Sequence, residues 1–99
     1  MSFSLAQRRV EYQEAVWLDV RLAEEYQHRH IKSAIHLALP DIRLKARQLS
    51  PNQHYIVYCD NAQRSAAAAF LLGIQGYNTT VLMGGLEALT TQEIEQYLN

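Results

Sequence analysis

Short β-prone segments that alternate with helical segments are the feature that most limits what this chain can fold into. Four segments are rich in β-branched and aromatic residues, at residues 16–20, 34–37, 55–58 and 79–83. Segments of helical character separate them. Because neighbouring parallel strands need a long crossover connection, usually a helix, this alternation predicts an α/β fold with a parallel sheet.

The helical segments are predicted at residues 22–28, 41–49 and 64–75, followed by two short ones at 86–89 and 91–98. Pro40 opens the second helix, and Gly76 stops the third in the left-handed conformation. The third helix is the clearest, because its alanines allow close approach to a sheet while Phe70 and Ile74 supply apolar bulk. The signal for an additional strand at residues 2–5 is weak.

The length and the charge of the chain limit its class of function. With 99 residues, a hydrophobic fraction of 48% and no repeat or linker, the chain is expected to form one domain over residues 1–99. Its formal net charge of −1 provides no basic field for nucleic acid, and its Lys and Arg residues are scattered. We therefore expect no nucleic-acid partner.

Composition also bears on where the protein works. No apolar segment approaches the roughly 20 residues that span a bilayer, so no membrane partner is expected. Residues 1–4 lack the charged start and the apolar stretch of a signal peptide. A single cysteine excludes an intramolecular disulfide and agrees with a reducing compartment. The expected location is the cytoplasm.

Cys59 lies between a predicted strand and the clearest predicted helix. A tight turn at a helix N-terminus presents backbone N–H groups without intrahelical partners, and the helix dipole and Arg64 add positive potential. A lone cysteine is more often a small buried hydrophobe, but this turn would stabilise a thiolate and so favours a nucleophile. The turn that follows Cys59 consists of Asp60, Asn61, Ala62, Gln63, Arg64 and Ser65.

Three predicted turns meet at the carboxyl edge of the sheet, where ligands bind in open α/β folds. Asp19 lies near the end of the first strand, Cys59 follows the third, and Gly84-Gly85 follow the fourth. Asp19 and Arg21 are therefore candidate supporting residues of the site, although an ion pair or a helix cap is the commoner role for such a pair. The two glycines are interpreted as a tight turn that lets backbone approach the Cys59 turn.

The histidines suggest neither a metal site nor a base for Cys59. His28, His30 and His36 have no second cluster of ligands at zinc spacing, so no metal is expected. His54 begins the strand that leads to Cys59, which places it at the far end of the sheet. A cysteine–histidine protease pair is thus disfavoured.

Six pieces of the sequence, in their order and spacing, resemble the rhodanese-like domain. They are Trp17-Leu18-Asp19-Val20-Arg21, Glu25-Tyr26, His30-Ile31-Lys32-Ser33-Ala34-Ile35, Ile56-Val57-Tyr58-Cys59 with Arg64-Ser65, Gly76-Tyr77, and Val81-Leu82-Met83-Gly84-Gly85-Leu86. The match covers residues 17–86. The resemblance implies a single α/β domain with a central parallel sheet of about five strands and helices on both faces.

The resemblance also implies a sulfurtransferase that carries a sulfane sulfur as a persulfide on Cys59. In that role the amides of residues 60–65 line a loop around the outer sulfur, and Arg64 helps to bind an anionic donor such as thiosulfate. Attack of the thiolate on the outer sulfur releases sulfite, and the persulfide then passes its sulfur to cyanide, a thiol or a protein acceptor. No metal or organic cofactor is required.

Two residues of this loop depart from the pattern of the family. Ala62 stands where glycine is usual, and alanine is strained there if the loop needs a positive φ. Asp60 places a negative charge beside the thiolate and the anionic donor. Both departures predict a weaker cradle for the sulfur.

Two alternatives stay open at this point. One is a weakly active or inactive rhodanese-like module that binds or regulates a partner, and Asp60 and Ala62 motivate it. The other is a cysteine-dependent phosphatase or arsenate reductase on a related fold. Such phosphatases have one residue more between cysteine and arginine than the four that separate Cys59 from Arg64, and the shorter loop here suits a single sulfur.

Overall fold

The strands form where apolar side chains can be buried on both faces of a parallel sheet. In the computed structural model, which describes residues 1–99, the strands are β1 (Val16–Asp19), β2 (Ile35–His36), β3 (His54–Tyr58) and β4 (Asn78–Val81). Their order is β2-β1-β3-β4, and all neighbouring pairs are parallel. The predicted α/β fold with a parallel sheet is confirmed, but the sheet has four strands, one fewer than expected.

The helices pack on both faces of the sheet, as expected. They are α1 (Phe3–Glu11), α2 (Ala23–His28), α3 (Ile42–Lys45), α4 (Gln63–Ile74) and α5 (Thr91–Tyr97). The helix predicted at 41–49 is instead a succession of short turns, with 3-10 segments at Leu39–Asp41 and Ala46–Gln48 on either side of α3. The helix predicted at 86–89 is a 3-10 turn, Gly85–Ala88. None of the helices has the length and apolarity needed to cross a bilayer.

The N-terminal segment is a helix and not the weakly indicated strand at residues 2–5. Ser2 caps α1, because its Oγ accepts the Leu5 N–H at 3.3 Å. Phe3 and Ala6, three positions apart, are the buried residues of this helix, and the Phe3 ring stacks on Trp17 at a centroid distance of 5.5 Å. Polar and apolar residues alternate over only a few positions here, and the helical spacing of the buried pair decides the structure.

The core is divided into two layers by the sheet. Tyr55 and Val57 of β3 face the layer beneath α3 and α4, whereas Ile56 and Tyr58 face the layer beneath α1 and α5. Cys59 continues this alternation and joins the α3/α4 layer. The strand period therefore delivers the thiol to the N-terminal end of α4.

Candidate active site around Cys59

Cys59 follows β3 directly and is fully buried. Its Sγ accepts the Ser65 N–H at 3.2 Å and donates to Ser65 Oγ at 3.4 Å. Ser65 is buried as well. Because a hydroxyl proton can rotate, the Ser65 O–H can turn to donate once the thiol has lost its proton. Ser65 thus provides two hydrogen bonds to a thiolate, one from its amide and one from its hydroxyl.

The loop between Cys59 and α4 contains a left-handed residue. Ala62 has φ 78° and ψ −4°, and it immediately precedes the first residue of α4. An L-residue with a side chain loses about 1–2 kcal/mol in this conformation, whereas glycine adopts it freely. The expected strain at Ala62 is therefore confirmed, and the loop keeps its left-handed turn without a glycine.

Several backbone amides of this loop have no hydrogen-bond acceptor in the protein. They are the amides of Asp60, Asn61, Ala62 and Arg64. The amide of Gln63 is occupied, because it donates to Asn61 Oδ1 at 3.1 Å. Unpaired N–H groups at a helix N-terminus are suited to hold an anion. The loop can therefore stabilise negative charge on a sulfur that extends beyond Cys59.

The turn after β4 supports the backbone at Cys59. The amides of Leu86 and Glu87 donate to the carbonyl oxygens of Cys59 and Asp60, each at 2.9 Å. This contact requires Gly85, because a Cβ at that position would overlap both carbonyl groups. The interpretation of the glycine pair as a point of close backbone approach is confirmed.

Arg64 is engaged by two carboxylates. Its Nη1 and Nη2 donate to Glu25 Oε1 and Oε2 at 2.6 and 2.9 Å, and Nη2 also donates to Asp60 Oδ2 at 3.1 Å. The hydrogen bond from Arg64 lowers the pKa of Glu25 to about 2, and the same bond raises the pKa of Arg64. The charge that was expected to attract an anionic donor is thus already paired within the protein.

Glu25 is a residue of this site that sequence reasoning did not single out. It lies on α2, 39 positions before Arg64, and its Oε1 also accepts the Leu22 N–H at 3.0 Å. The sequence showed Glu25 only as part of a short matching piece. No local pattern joins it to Arg64, because the contact arises only where α2 and α4, the helices that follow β1 and β3, begin at the same edge of the sheet.

Asp19 and Arg21 form a buried ion pair beside the loop. Asp19 Oδ2 accepts from Arg21 Nη2 at 2.7 Å, and Asp19 Oδ1 accepts the Arg21 backbone N–H at 2.9 Å. Burial lowers the pKa of Arg21, but the hydrogen bond and charge of Asp19 outweigh it, so that pKa is raised. Arg21 Nη1 also lies 3.6 Å from Asp60 Oδ1. Both residues lie at the predicted edge and reach the loop through Asp60.

The histidines lie apart from the sulfur. His54 begins β3, at the far end of the sheet from Cys59 as predicted, and hydrogen-bonds to Thr80 Oγ1 at 2.7 Å. Burial and the charge of Arg9 lower the pKa of His54. No histidine hydrogen-bonds to Cys59, so the sulfur has Ser65 as its side-chain partner.

Comparison with known proteins gives the family. A family model described as "Rhodanese-like domain" matches residues 2–92. The chain is 30% identical over 81 residues to thiosulfate sulfurtransferase PspE of Escherichia coli (strain K12), across 80% of this chain and 78% of PspE. It is also 30% identical over 89 residues to YtwF of Bacillus subtilis (strain 168), a candidate sulfurtransferase, across 89% of this chain and 86% of YtwF.

The fold agrees with that match. The crystal structure of a rhodanese-related protein from Thermoplasma volcanium superposes with a TM-score of 0.82 at 26% identity, over 89% of this chain and 86% of that chain. The family model covers nearly the whole sequence, from the N-terminal helix to the start of the last one. With the parallel sheet, the strand–cysteine–helix turn and this coverage in agreement, the chain belongs to the rhodanese-like domain family.

Proposed function

We propose that this protein is a sulfurtransferase that moves a sulfane sulfur from a small anionic donor to a thiophilic acceptor through a persulfide on Cys59. Thiosulfate and organic persulfides are the donor classes, and a thiol or a protein is the acceptor. The observation that carries the proposal is the position of Cys59 Sγ, 3.2 Å from the Ser65 amide and beside a loop whose other amides are largely unpaired. Similarity to a thiosulfate sulfurtransferase supports it.

The reaction follows from the chemistry of the thiolate. The sulfur of Cys59 attacks the outer sulfur of the donor, a new S–S bond forms, and the old S–S bond breaks with its electron pair on the leaving group. With thiosulfate the leaving group is sulfite. Free loop amides and the hydroxyl of Ser65 then stabilise the charge of the persulfide. An acceptor thiolate attacks the outer sulfur and regenerates the Cys59 thiolate.

Burial of the thiol adds a requirement. Cys59 has no exposed surface, so a donor reaches it only when the loop or a neighbouring element moves. Arg64 ties this loop to α2 through Glu25, and opening the loop would need these ion pairs to give way. Entry of the donor is therefore coupled to the contacts of Arg64.

The test is mass spectrometry of the intact protein after incubation with thiosulfate. The wild type should gain one sulfur atom that a reductant removes, and Cys59→Ser should gain none because the chain has no second thiol. Formation of thiocyanate from thiosulfate and cyanide should vanish in the same variant, while circular dichroism shows that its fold persists. Equal activity in Cys59→Ser would contradict the proposal.

A binding or regulatory module on the same scaffold is the second candidate. The strained backbone at Ala62, the full burial of Cys59 and the pairing of Arg64 favour it, because each reduces the readiness of the site for a donor. The two candidates differ in a direct way. If no persulfide forms with thiosulfate, thiosulfonate or an alkyl persulfide, the module becomes the better description.

A further inference from the structure

The ion pairs around the loop determine how much charge the site presents to a donor. Arg64 uses both terminal nitrogens on Glu25 and one of them also on Asp60. Asp60 in turn faces Arg21, which is paired with Asp19. These five side chains form one connected set, the loop charge network.

The loop charge network carries a negative balance. It contains the carboxylates of Asp19, Glu25 and Asp60 and the guanidinium groups of Arg21 and Arg64, so its formal charge is −3 + 2 = −1. The thiolate of Cys59 adds a further negative charge when it forms. This balance repels a dianion more strongly than a monoanion, because the repulsion between like charges in a partly desolvated site grows with the charge of the donor.

Glu25 is the carboxylate of the loop charge network that binds Arg64 most closely and so makes the net charge of the network negative. It holds Arg64 with two hydrogen bonds at 2.6 and 2.9 Å, whereas Asp60 holds it with one at 3.1 Å. Without Glu25 the network would be neutral, and Nη1 of Arg64 would have no partner in the protein. Glu25 also has a pKa held at about 2 by Arg64, so its negative charge persists at neutral pH.

We propose that Glu25 is a specificity-determining residue that disfavours dianionic donors, so that the site takes its sulfur from donors with one negative charge or none, such as organic persulfides and thiosulfonates, in preference to thiosulfate. The inference rests on the proposed function. Glu25 contacts Arg64 and not the sulfur, so it acts by neutralising and positioning Arg64 and not as a catalytic residue.

The sulfur transfer balances for each donor class. With a persulfide, the Cys59 thiolate and R–S–SH give Cys59–S–SH and R–S⁻. With methanethiosulfonate, the thiolate and CH₃SO₂–S⁻ give Cys59–S–S⁻ and methanesulfinate, CH₃SO₂⁻. With thiosulfate the leaving group is sulfite. Methanethiosulfonate and thiosulfate therefore undergo the same S–S cleavage but differ by one unit of charge, which makes them a matched pair of probes.

The test measures kcat/KM for persulfide formation with these two donors in the full chain. Removing the negative charge of Glu25 removes an electrostatic repulsion of the donor, and the energy of that repulsion is proportional to the charge of the donor. Glu25→Gln should therefore raise kcat/KM by roughly 3-fold for methanethiosulfonate and by roughly 10-fold, the square of that factor, for thiosulfate at low salt. The intrinsic reactivity of each donor cancels, because each donor is compared with itself between variants.

Glu24→Gln is the matched control. Glu24 is the neighbouring residue on α2, is exposed and forms no ion pair, so its substitution makes the same change in net charge without touching Arg64. It should leave the ratio of the two donors within about 2-fold of the wild type. A merely structural role of Glu25, such as holding the loop closed, would change the rates with both donors by the same factor.

A second measurement uses the wild type alone. Raising the ionic strength screens the negative field, so the preference for methanethiosulfonate over thiosulfate should narrow with added salt. If both donors form the persulfide but their ratio does not respond to Glu25→Gln, the inference is wrong whatever the effect of salt, while the proposed function stands. If neither donor forms a persulfide in any variant, the proposed function fails and the inference fails with it.

Discussion

Among single residues, Ala62 is the one whose backbone conformation lowers the stability of the loop. Its φ of 78° is the left-handed conformation that glycine adopts without a clash, so Ala62→Gly should stabilise the protein by about 0.5–1 kcal/mol. Relief of strain also lets the loop amides converge better on the sulfur, so turnover of thiosulfate should rise. Urea denaturation and a thiocyanate assay measure the two effects.

The chain offers a control of opposite sign for this residue. Ala67 is exposed in the interior of α4, where its backbone is helical. Ala67→Gly should therefore destabilise the protein by about 1 kcal/mol, since glycine loses more backbone entropy than alanine in a helix. A loss of stability in both variants would show that Ala62 is not strained.

At the scale of elements, the turn after β4 and the loop after β3 act as one unit. Gly85 has φ 63° and lies against the carbonyl groups of Cys59 and Asp60. Gly85→Ala should destabilise the protein by about 2 kcal/mol or more and lower the rate of persulfide formation, because the added Cβ pushes the backbone of Cys59 away. Thermal unfolding and the thiosulfate assay are the measurements.

Gly73 provides the matched glycine. It lies within α4, and a Cβ built there meets no atom within 4 Å. Gly73→Ala should therefore stabilise the helix by about 0.5–1 kcal/mol and leave sulfur transfer unchanged. If the two glycine variants behave alike, the close approach at Gly85 has no energetic importance.

For the whole molecule, the buried pair of Asp19 and Arg21 connects the sheet to the site. Asp19 is fully buried, and its carboxylate accepts hydrogen bonds from the guanidinium and from the backbone N–H of Arg21. The guanidinium of Arg21 also donates to the carbonyl oxygen of Arg29. Asp19→Asn removes the only buried carboxylate paired with Arg21 and leaves the half-exposed Asp60 at 3.6 Å, so we expect a loss of about 3 kcal/mol in the free energy of unfolding. Chemical denaturation measures it.

An exposed aspartate serves as the control for that loss. Asp41 Oδ2 lies 3.9 Å from Lys45 Nζ, and both side chains of this ion pair are exposed to solvent. Asp41→Asn should change the free energy of unfolding by no more than about 0.5 kcal/mol, because such pairs are screened by water. A similar loss in both variants would contradict the importance of burial at Asp19.

The free energy of unfolding should also depend on pH, because the pKa of Glu25 differs between the folded and the unfolded protein. Its pKa falls from 4.5 to about 2 in the folded protein, because Arg64 stabilises the carboxylate. Because the pKa of Glu25 is lower in the folded protein than in the unfolded chain, its ionised carboxylate stabilises the fold at pH values above the unfolded pKa. This contribution is lost as the pH falls through the folded pKa. Glu25→Gln should be less stable than the wild type by about 0.2–1 kcal/mol above about pH 5.

This difference should shrink as the pH falls from about 4.5 towards about 2, where the wild-type carboxylate takes up its proton. Urea denaturation of both proteins across that range provides the comparison. If the difference in the free energy of unfolding between the wild type and Glu25→Gln instead grew as the pH fell, Glu25 would not be held ionised by Arg64.

Part of this protein was predictable from the sequence alone. The β-prone runs around Trp17 and Ile56 and the alanine-rich helix predicted a parallel α/β sheet, because strand and helix periods are local properties of the chain. The position of Cys59 at a strand-to-helix turn and the close approach at Gly85 followed from short motifs in the same way.

Only the tertiary structure decided the rest. The segment that begins with Phe3 became a helix because its buried side chains are matched to the aromatic layer under α1 and α5, which no window of a few residues reveals. Likewise Glu25 meets Arg64 because two helices far apart in the chain, α2 and α4, begin at one edge of the sheet. The charge that the site presents depends on pairing through space, and such pairing has no signal in the local sequence.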